Sequence, residues 1–161
     1  MTGLRPGGRI GPDDPHATDV RDLIERHLAF VHLQSPPEDV HALDAGALAE
    51  AGVEFFSFRR DGAVLAIGAL KRLDVGHAEI KSMHTVQEER GAGIGRAMVA
   101  RLIREARGRG YRRLSLETGS TPGFDAARAL YASAGFEECG PFGDYRASPY
   151  STFMTMELGP A

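Results

Sequence analysis

The stretch Arg90-Gly91-Ala92-Gly93-Ile94-Gly95-Arg96 decides the fold, because an extended segment gives way to a helix across it. Its three alternate glycines remove side chains where a backbone must approach a ligand closely and take positive φ. The amides left free there converge with the positive end of the following helix dipole, which suits a diphosphate. Arg90 and Arg96 add charge. A P-loop would end in Gly-Lys-Ser/Thr, and neither Lys71 nor Lys81 stands in that context. The dinucleotide fingerprint G-x-G-x-x-G would need glycine at 96 or 98, where this chain has Arg96 and Met98. On the motif alone, a glycine-rich turn of purely structural use stays open.

Working outward, Ile94, Met98, Leu102 and Ala106 recur at helical spacing and predict a helix ending near Gly108 and Gly110. Tyr111 to Glu117 then reads as a strand with Leu114 and Leu116 on one face. Thr121-Pro122 opens a helix through Phe124, Ala127, Leu130 and Tyr131 that stops at Gly135, and Phe136 to Cys139 and Thr152 to Leu158 are the last strands. Upstream of the glycine loop, His77 to Val86 is a strand. Val53 to Arg60 and Ala63 to Leu73 form a hairpin about Asp61-Gly62, and the run Ala63 to Leu70, apolar on both faces, predicts a central strand. Asp14-Pro15 begins a helix to about Gln34, and Asp44 caps a short one through Ala51. The order predicts an α/β fold, a mixed sheet with helical crossovers.

Composition sets outer bounds. With 161 residues, 42% of them hydrophobic, one domain over 1–161 is expected, with 1–13 as a loose N-terminal end. A chain of this size buries roughly 68–70% of its unfolded surface. It therefore needs no disulfide, and the single Cys139 could form none internally. The apolar run Ala63 to Leu70 falls short of the ~20 residues that span a membrane. No apolar stretch follows Arg5 and Arg9 to make a signal peptide, so a cytoplasmic, soluble protein is expected. The net charge of -3 gives no overall field for nucleic acid. Arg96 to Arg113 holds seven arginines against Glu105 alone, a locally basic segment without interleaved base-stacking aromatics.

Arg90-x-x-Gly93-x-Gly95, after a strand and opening a helix, resembles the Q/R-x-x-G-x-G/A acetyl-CoA motif of the GNAT (GCN5-related) N-acetyltransferase superfamily. Ala129-Leu130-Tyr131-Ala132-Ser133-Ala134-Gly135-Phe136 resembles its helix-to-strand segment carrying the usual tyrosine, and order and spacing agree over Val53 to Leu158. The segment from Cys139 to Tyr145 and on to Thr155 is similar to a bacterial subgroup of unassigned acceptor. The resemblance implies the GNAT fold: a mixed, mostly antiparallel sheet splayed between its strands 4 and 5, with flanking helices. It further implies acetyl-CoA as acyl-donor cosubstrate and an N-acetyltransferase acting on a primary amine of a small molecule or peptide. No nucleic acid, membrane or metal partner is expected, and a homodimer is admitted. Two positions depart from the family pattern: Gln87 replaces a common proline and Phe124 a common asparagine.

Carried over by motif, the cofactor-binding residues are Met83, His84 and Thr85 on the strand, then Arg90, Gly91, Ala92, Gly93, Ile94, Gly95 and Arg96. An amide-bearing arm can add to a free strand edge whatever the side chains are. Glu79 matches the glutamate that acts as general base in the histone-acetyltransferase branch, and a simple ion pair with Lys81 is the competing reading. Tyr131 matches the general acid for the departing thiolate, against a core aromatic at helical spacing. Cys139 has no recognisable basic partner, so direct transfer is expected rather than an acyl-cysteine. The six histidines show no metal spacing. His27, Phe30, Tyr145 and Tyr150 fall in regions that border the acceptor in this superfamily. A second class of reading is a module of the same fold that binds or senses acyl-CoA without turnover.

Overall fold

The computed structural model describes residues 8–159. Strands β1 (Gly8–Pro12), β2 (Val53–Arg60), β3 (Ala63–Asp74), β4 (His77–Thr85), β5 (Arg113–Gly119), β6 (Glu137–Cys139) and β7 (Ser151–Glu157) form one sheet in the order β1-β2-β3-β4-β5-β7-β6. Only β4 and β5 run parallel, joined by helix α3 (Ile94–Gly108) as the crossover. The other helices are α1 (Thr18–Gln34), the single turn α2 (Ala45–Leu48) and α4 (Asp125–Ala134). The splayed mixed sheet expected from the sequence is present.

Alternation on the strands feeds two cores. Phe56, Phe58, Ala66, Leu70, Ala78 and Ile80 pack under α3 and α4 against Met98, Leu102 and Tyr131. Phe55, Ile67 and Ala69 pack on the other face under α1, against Val20, Leu23 and Ile24. β3 therefore buries side chains on both faces, as its continuous apolar run requires. Asp61 (φ 51°) and Gly62 (φ 83°) make the tight hairpin turn.

Three expectations need correction. Residues 8–12 of the supposed loose end form β1, paired antiparallel from Gly8↔Arg60 to Pro12↔Phe56; residues 1–7 of that segment lie outside the described residues. The main chain of β2 needs a partner on that side, and Arg101 Nη1 fastens the strand by donating to the Ile10 carbonyl at 2.8 Å. Helix α1 begins at Thr18, because Asp14 instead closes a turn by accepting from the His16 amide at 2.8 Å. Strand β5 starts at Arg113, since Tyr111 and Arg112 serve as the connection from α3. In the arginine-rich segment, Arg101 and Arg109 both bind Glu105, and Arg109 also binds Glu54, so these two hold structure together.

Candidate active site

β4 and β5 stay paired for only four rungs, His77↔Arg113 to Ile80↔Leu116. Beyond them β4 keeps its partner β3 as far as Thr85, and β5 keeps β7 as far as Gly119. The two inner edges diverge. A cleft of about 690 Å³ fills the wedge, lined by Lys81 to Thr85 on one side and Glu117 to Gly119 on the other. Parallel strands that separate leave amides and carbonyls facing the gap, where an amide-bearing ligand can pair with them.

At the splay point β4 carries a bulge. Ile67 pairs with His84 but Ala69 pairs with Lys81, so Gly68 stands opposite both Ser82 and Met83. Ser82 adopts φ 58°, a left-handed conformation uncommon outside glycine. Gly68 makes the bulge possible, because a Cβ there would lie 2.7 Å from Met83 Sδ and 3.2 Å from Leu102 Cδ1.

At the other end of the cleft stands the glycine loop. Gly91 (φ 82°) and Gly93 (φ 88°) take the left-handed conformation, and Gly93 is the N-cap of α3 with no side chain over the helix end. Arg90 to Gly93, Gly95 and Arg96 line the cleft. Arg90 Nε donates to the Thr85 carbonyl at 3.1 Å, joining loop to strand. Ile94 does not line it: its side chain is buried in the core, where it anchors the first turn. Gly95 also serves packing, since a Cβ there would lie 3.2 Å from Leu130 of α4. Free amides and a helix N-terminus facing the same cleft fit a diphosphate.

Tyr131 reaches the cleft from α4, buried and edge-to-face with Phe136 at 5.9 Å between centroids. Among the described residues its hydroxyl has no hydrogen-bond partner. Burial and the neighbouring Glu117 push its pKa above the ordinary phenol value. Glu117 lines the cleft as well, and burial raises its carboxyl above the usual range. Sequence reasoning overlooked Glu117. The signal was present, because Ser115 and Glu117 alternate with Leu114 and Leu116, placing a carboxylate on the second face of a central strand.

Glu79 lies on that same second face, 2% exposed, and is not among the cleft-lining residues. It accepts a hydrogen bond from the Tyr145 hydroxyl and forms an ion pair with Lys81 at 3.4 Å. Lys81 Nζ also donates to Tyr145 Oη at 2.8 Å and to the His41 carbonyl at 3.0 Å. Burial and Glu79 raise the Tyr145 pKa. This cluster fastens the loop before β7 and the segment around His41 to the sheet, two chain regions far apart in sequence.

His27 and His84 face each other across the cleft wall, Nδ1 to Nδ1 at 3.1 Å, with Phe30 against His84 and Phe124. Burial first, then mutual repulsion and Lys81, bring His27 down to about 3. Burial, with Arg90 and Arg26, brings His84 down to about 4. Both rings are therefore neutral at ordinary pH, and one donates its Nδ1–H to the other. Phe124, where the family pattern has asparagine, is buried against Gly119, whose missing Cβ leaves room for the ring. Tyr150 is an exposed residue outside the cleft lining, and Cys139 sits away from it on β6, its thiol pKa raised by burial. Among the described residues no group of three His, Cys, Asp or Glu is placed to hold a metal, and no helix is long and apolar enough to cross a membrane.

A sheet wedged open beside a glycine-capped helix defines an acyltransferase architecture of the GNAT type. The chain belongs to the acetyltransferase (GNAT) family, whose pattern it matches over residues 17–136. It is 44% identical over 146 residues to the uncharacterized N-acetyltransferase YsnE of Bacillus subtilis, covering 91% of this chain and 97% of that one. A solved structure from Klebsiella pneumoniae superposes with a TM-score of 0.78 at 26% identity, over 94% of this chain and 97% of the other. A GNAT family acetyltransferase from Elizabethkingia anophelis, solved with acetyl-CoA bound, shares the fold at TM-score 0.69 and 17% identity, over 95% and 99% of the two chains.

Proposed function

We propose that the protein is a cytoplasmic N-acetyltransferase that moves the acetyl group of acetyl-CoA directly to a primary amine of a small molecule or peptide. The observation carrying this reading is the β4–β5 wedge, with the Gly91–Gly93 amides at one end and, within it, the Tyr131 hydroxyl, which has no hydrogen-bond partner among the described residues. Bound acetyl-CoA supplies an activated acetyl group and a sulfur leaving group. Around it the loop amides with Arg90 and Arg96 hold the diphosphate, and the edge Met83–Thr85 pairs with the pantetheine arm.

An alkyl amine with pKa about 10.4 arrives protonated and must lose a proton before attack. Two carboxylates compete for that role. Glu117 faces the cleft with a raised pKa, whereas Glu79 reaches it only past Lys81 and Tyr145. Proton removal is assigned to Glu117, directly or through one water, and Glu79 positions Lys81 and Tyr145. Tyr131 donates its phenolic proton to the departing sulfur and is restored by the second proton that the nitrogen sheds as the intermediate collapses to the amide, while the ammonium proton taken by Glu117 passes to solvent. A phenol held protonated by burial suits that role.

The test is thiol release from acetyl-CoA over a panel of amines. Steady release with an amine, matched by an acetyl mass shift on that amine, supports the enzyme. Cofactor binding without release supports the non-catalytic module instead. Glu117→Gln is expected to abolish the rise of kcat/KM with pH; if Glu79→Gln does so and Glu117→Gln does not, Glu79 is the base.

A further inference from the structure

Charge is distributed unevenly along the cleft. At the glycine-loop end Arg90 and Arg96 line it, and Glu89 is held there by Arg60 at 2.9 Å. At the α1 end, among the described residues, the lining holds one lysine or arginine, Lys81, and its ammonium is saturated. Its three N–H groups go to the Tyr145 hydroxyl at 2.8 Å, the His41 carbonyl at 3.0 Å and Glu79 Oε2 at 3.4 Å. None is left for a ligand. His27, His41 and His84 line the same end, and burial holds each below the ordinary imidazole pKa, so these rings supply no positive charge at neutral pH.

Two carboxylates there are in the opposite condition. Asp39 and Glu117 both line the cleft, and neither forms an ion pair among the described residues. Asp39 is nonetheless firmly placed. It ends the single turn begun by Pro37, its amide donates to the Pro36 carbonyl at 2.9 Å, and two residues later Lys81 fastens the chain through the His41 carbonyl. Burial raises the Glu117 carboxyl, and the charges of Glu79 and Asp39 add to that against Lys81, so Asp39 acts on Glu117 through the cleft. The wall joining α1 to the segment after β5 is apolar: Phe30 meets Phe124 at 5.2 Å between centroids, with Val31 beside it on the helix. Tyr131, 6% exposed, lines the same cleft with a hydroxyl that has no partner among the described residues.

We infer that the acceptor is a diamine, whose far ammonium is held by Asp39 at the end of an apolar chain while its near nitrogen is acetylated beside Glu117. This rests on the N-acetyltransferase reading above and adds the substrate class. At the near nitrogen a C–N bond forms and the C–S bond breaks; Glu117 takes the ammonium proton and Tyr131 supplies the thiol proton, leaving a monoacetyl diamine and CoA. The far amine, with pKa about 10.4, stays charged at neutral pH and meets a carboxylate that has no other cation. Its methylene chain covers the Phe30 and Phe124 wall. An amine that carries a carboxylate instead would meet two like charges and no free donor, so the same cleft selects against amino acids.

The experiment measures kcat/KM with acetyl-CoA for linear amines of four to six carbons whose far end is an ammonium, a hydroxyl or a carboxylate, in wild type, Asp39→Asn and Asp39→Lys. Calorimetric titration of the same amines into the CoA-saturated protein reads binding without turnover. Wild type is expected to favour the diamine over the amino alcohol by about five- to tenfold, as for one half-exposed charged contact, and to take the amino acid least. Asp39→Asn should erase most of the diamine preference, and Asp39→Lys should turn it toward the amino acid. Asp39→Asn should melt no lower than wild type, because its carboxylate has no partner to lose. Equal rates and affinities for the three far ends in wild type, a diamine preference that survives both variants, or a lower melting temperature of Asp39→Asn would overturn the assignment. Protein that takes up neither CoA nor acetyl-CoA would refute the acetyl-CoA reading instead, and the amine titrations are then read on the free protein, whose Asp39 is placed by the chain alone.

Discussion

Acidification should reveal the His27–His84 pair. Both imidazoles are held neutral in the fold, His27 down to about 3 and His84 down to about 4, against 6.5 for a free imidazole. Each therefore binds protons more readily in the unfolded chain, so stability is fully present above pH 6.5 and falls as pH drops toward the folded values. At pH 5 the unfolded state has gained about 1.5 pH units of proton binding per ring, worth about 2 kcal/mol each and about 4 kcal/mol together. Against a typical total of about 5–15 kcal/mol, that loss is large. Asp13, Asp19 and Glu105 have lowered pKa values and lose their contributions only as pH falls through the carboxylate range, below the window tested. His41 and His77 are also depressed by burial and add loss in the same direction. The assay is urea unfolding at pH 8 and pH 5 for wild type and His27→Asn, whose amide keeps a partner for His84. The variant shares every other histidine, so its acid loss should be smaller by about 2 kcal/mol. Equal urea midpoints for wild type at the two pH values, or identical pH dependence in the variant, would refute the reasoning.

Further outcomes follow from the same geometry. Tyr131→Phe should lower kcat by about 10²-fold, the low end for general acid catalysis, while the KM for acetyl-CoA moves little; parallel loss of both would mean packing instead. Gly93→Ala forces a Cβ onto φ 88° at the α3 N-cap, so it should cost about 1–2 kcal/mol in urea unfolding and weaken CoA uptake in calorimetry. Lys81→Met strands the buried Glu79 carboxylate and should cost about 3–5 kcal/mol, whereas Lys81→Met with Glu79→Gln should recover most of that. Gly119→Ala drives a Cβ into the Phe124 ring and should lower stability by about 1–3 kcal/mol, seen as a lower melting temperature.

The elements with strong local signals were legible in the sequence. Gly93 before Ile94, Asp61-Gly62 in the hairpin and Gly135 after α4 are each a backbone conformation written as a residue type. The loop glycines and Tyr131 could be placed beside one cleft from the sequence because motif and local structure coincide there. What escaped was non-local. Glu79 meets Tyr145 across 66 positions, and His27 meets His84 across 57, so no spacing rule connects them. The Ser82 bulge depends on Gly68 of the neighbouring strand, and a register shift leaves no trace in the periodicity of β4 itself. Strand β1 was lost for a related reason: five residues with two glycines and a proline read as a tail until the edge of β2 supplies their hydrogen bonds.

That first strand bears on how the protein can be shortened. A trimmed gene starting at Asp13 would strip the outer rung from β2 and leave Arg101 without the Ile10 carbonyl. The Phe58 ring, which has Gly8 lying directly against it, would lose its cover on that side. A naked strand border beside an uncovered aromatic is an invitation to self-association, so preparations clipped by proteases within residues 8–12 should be the ones that precipitate.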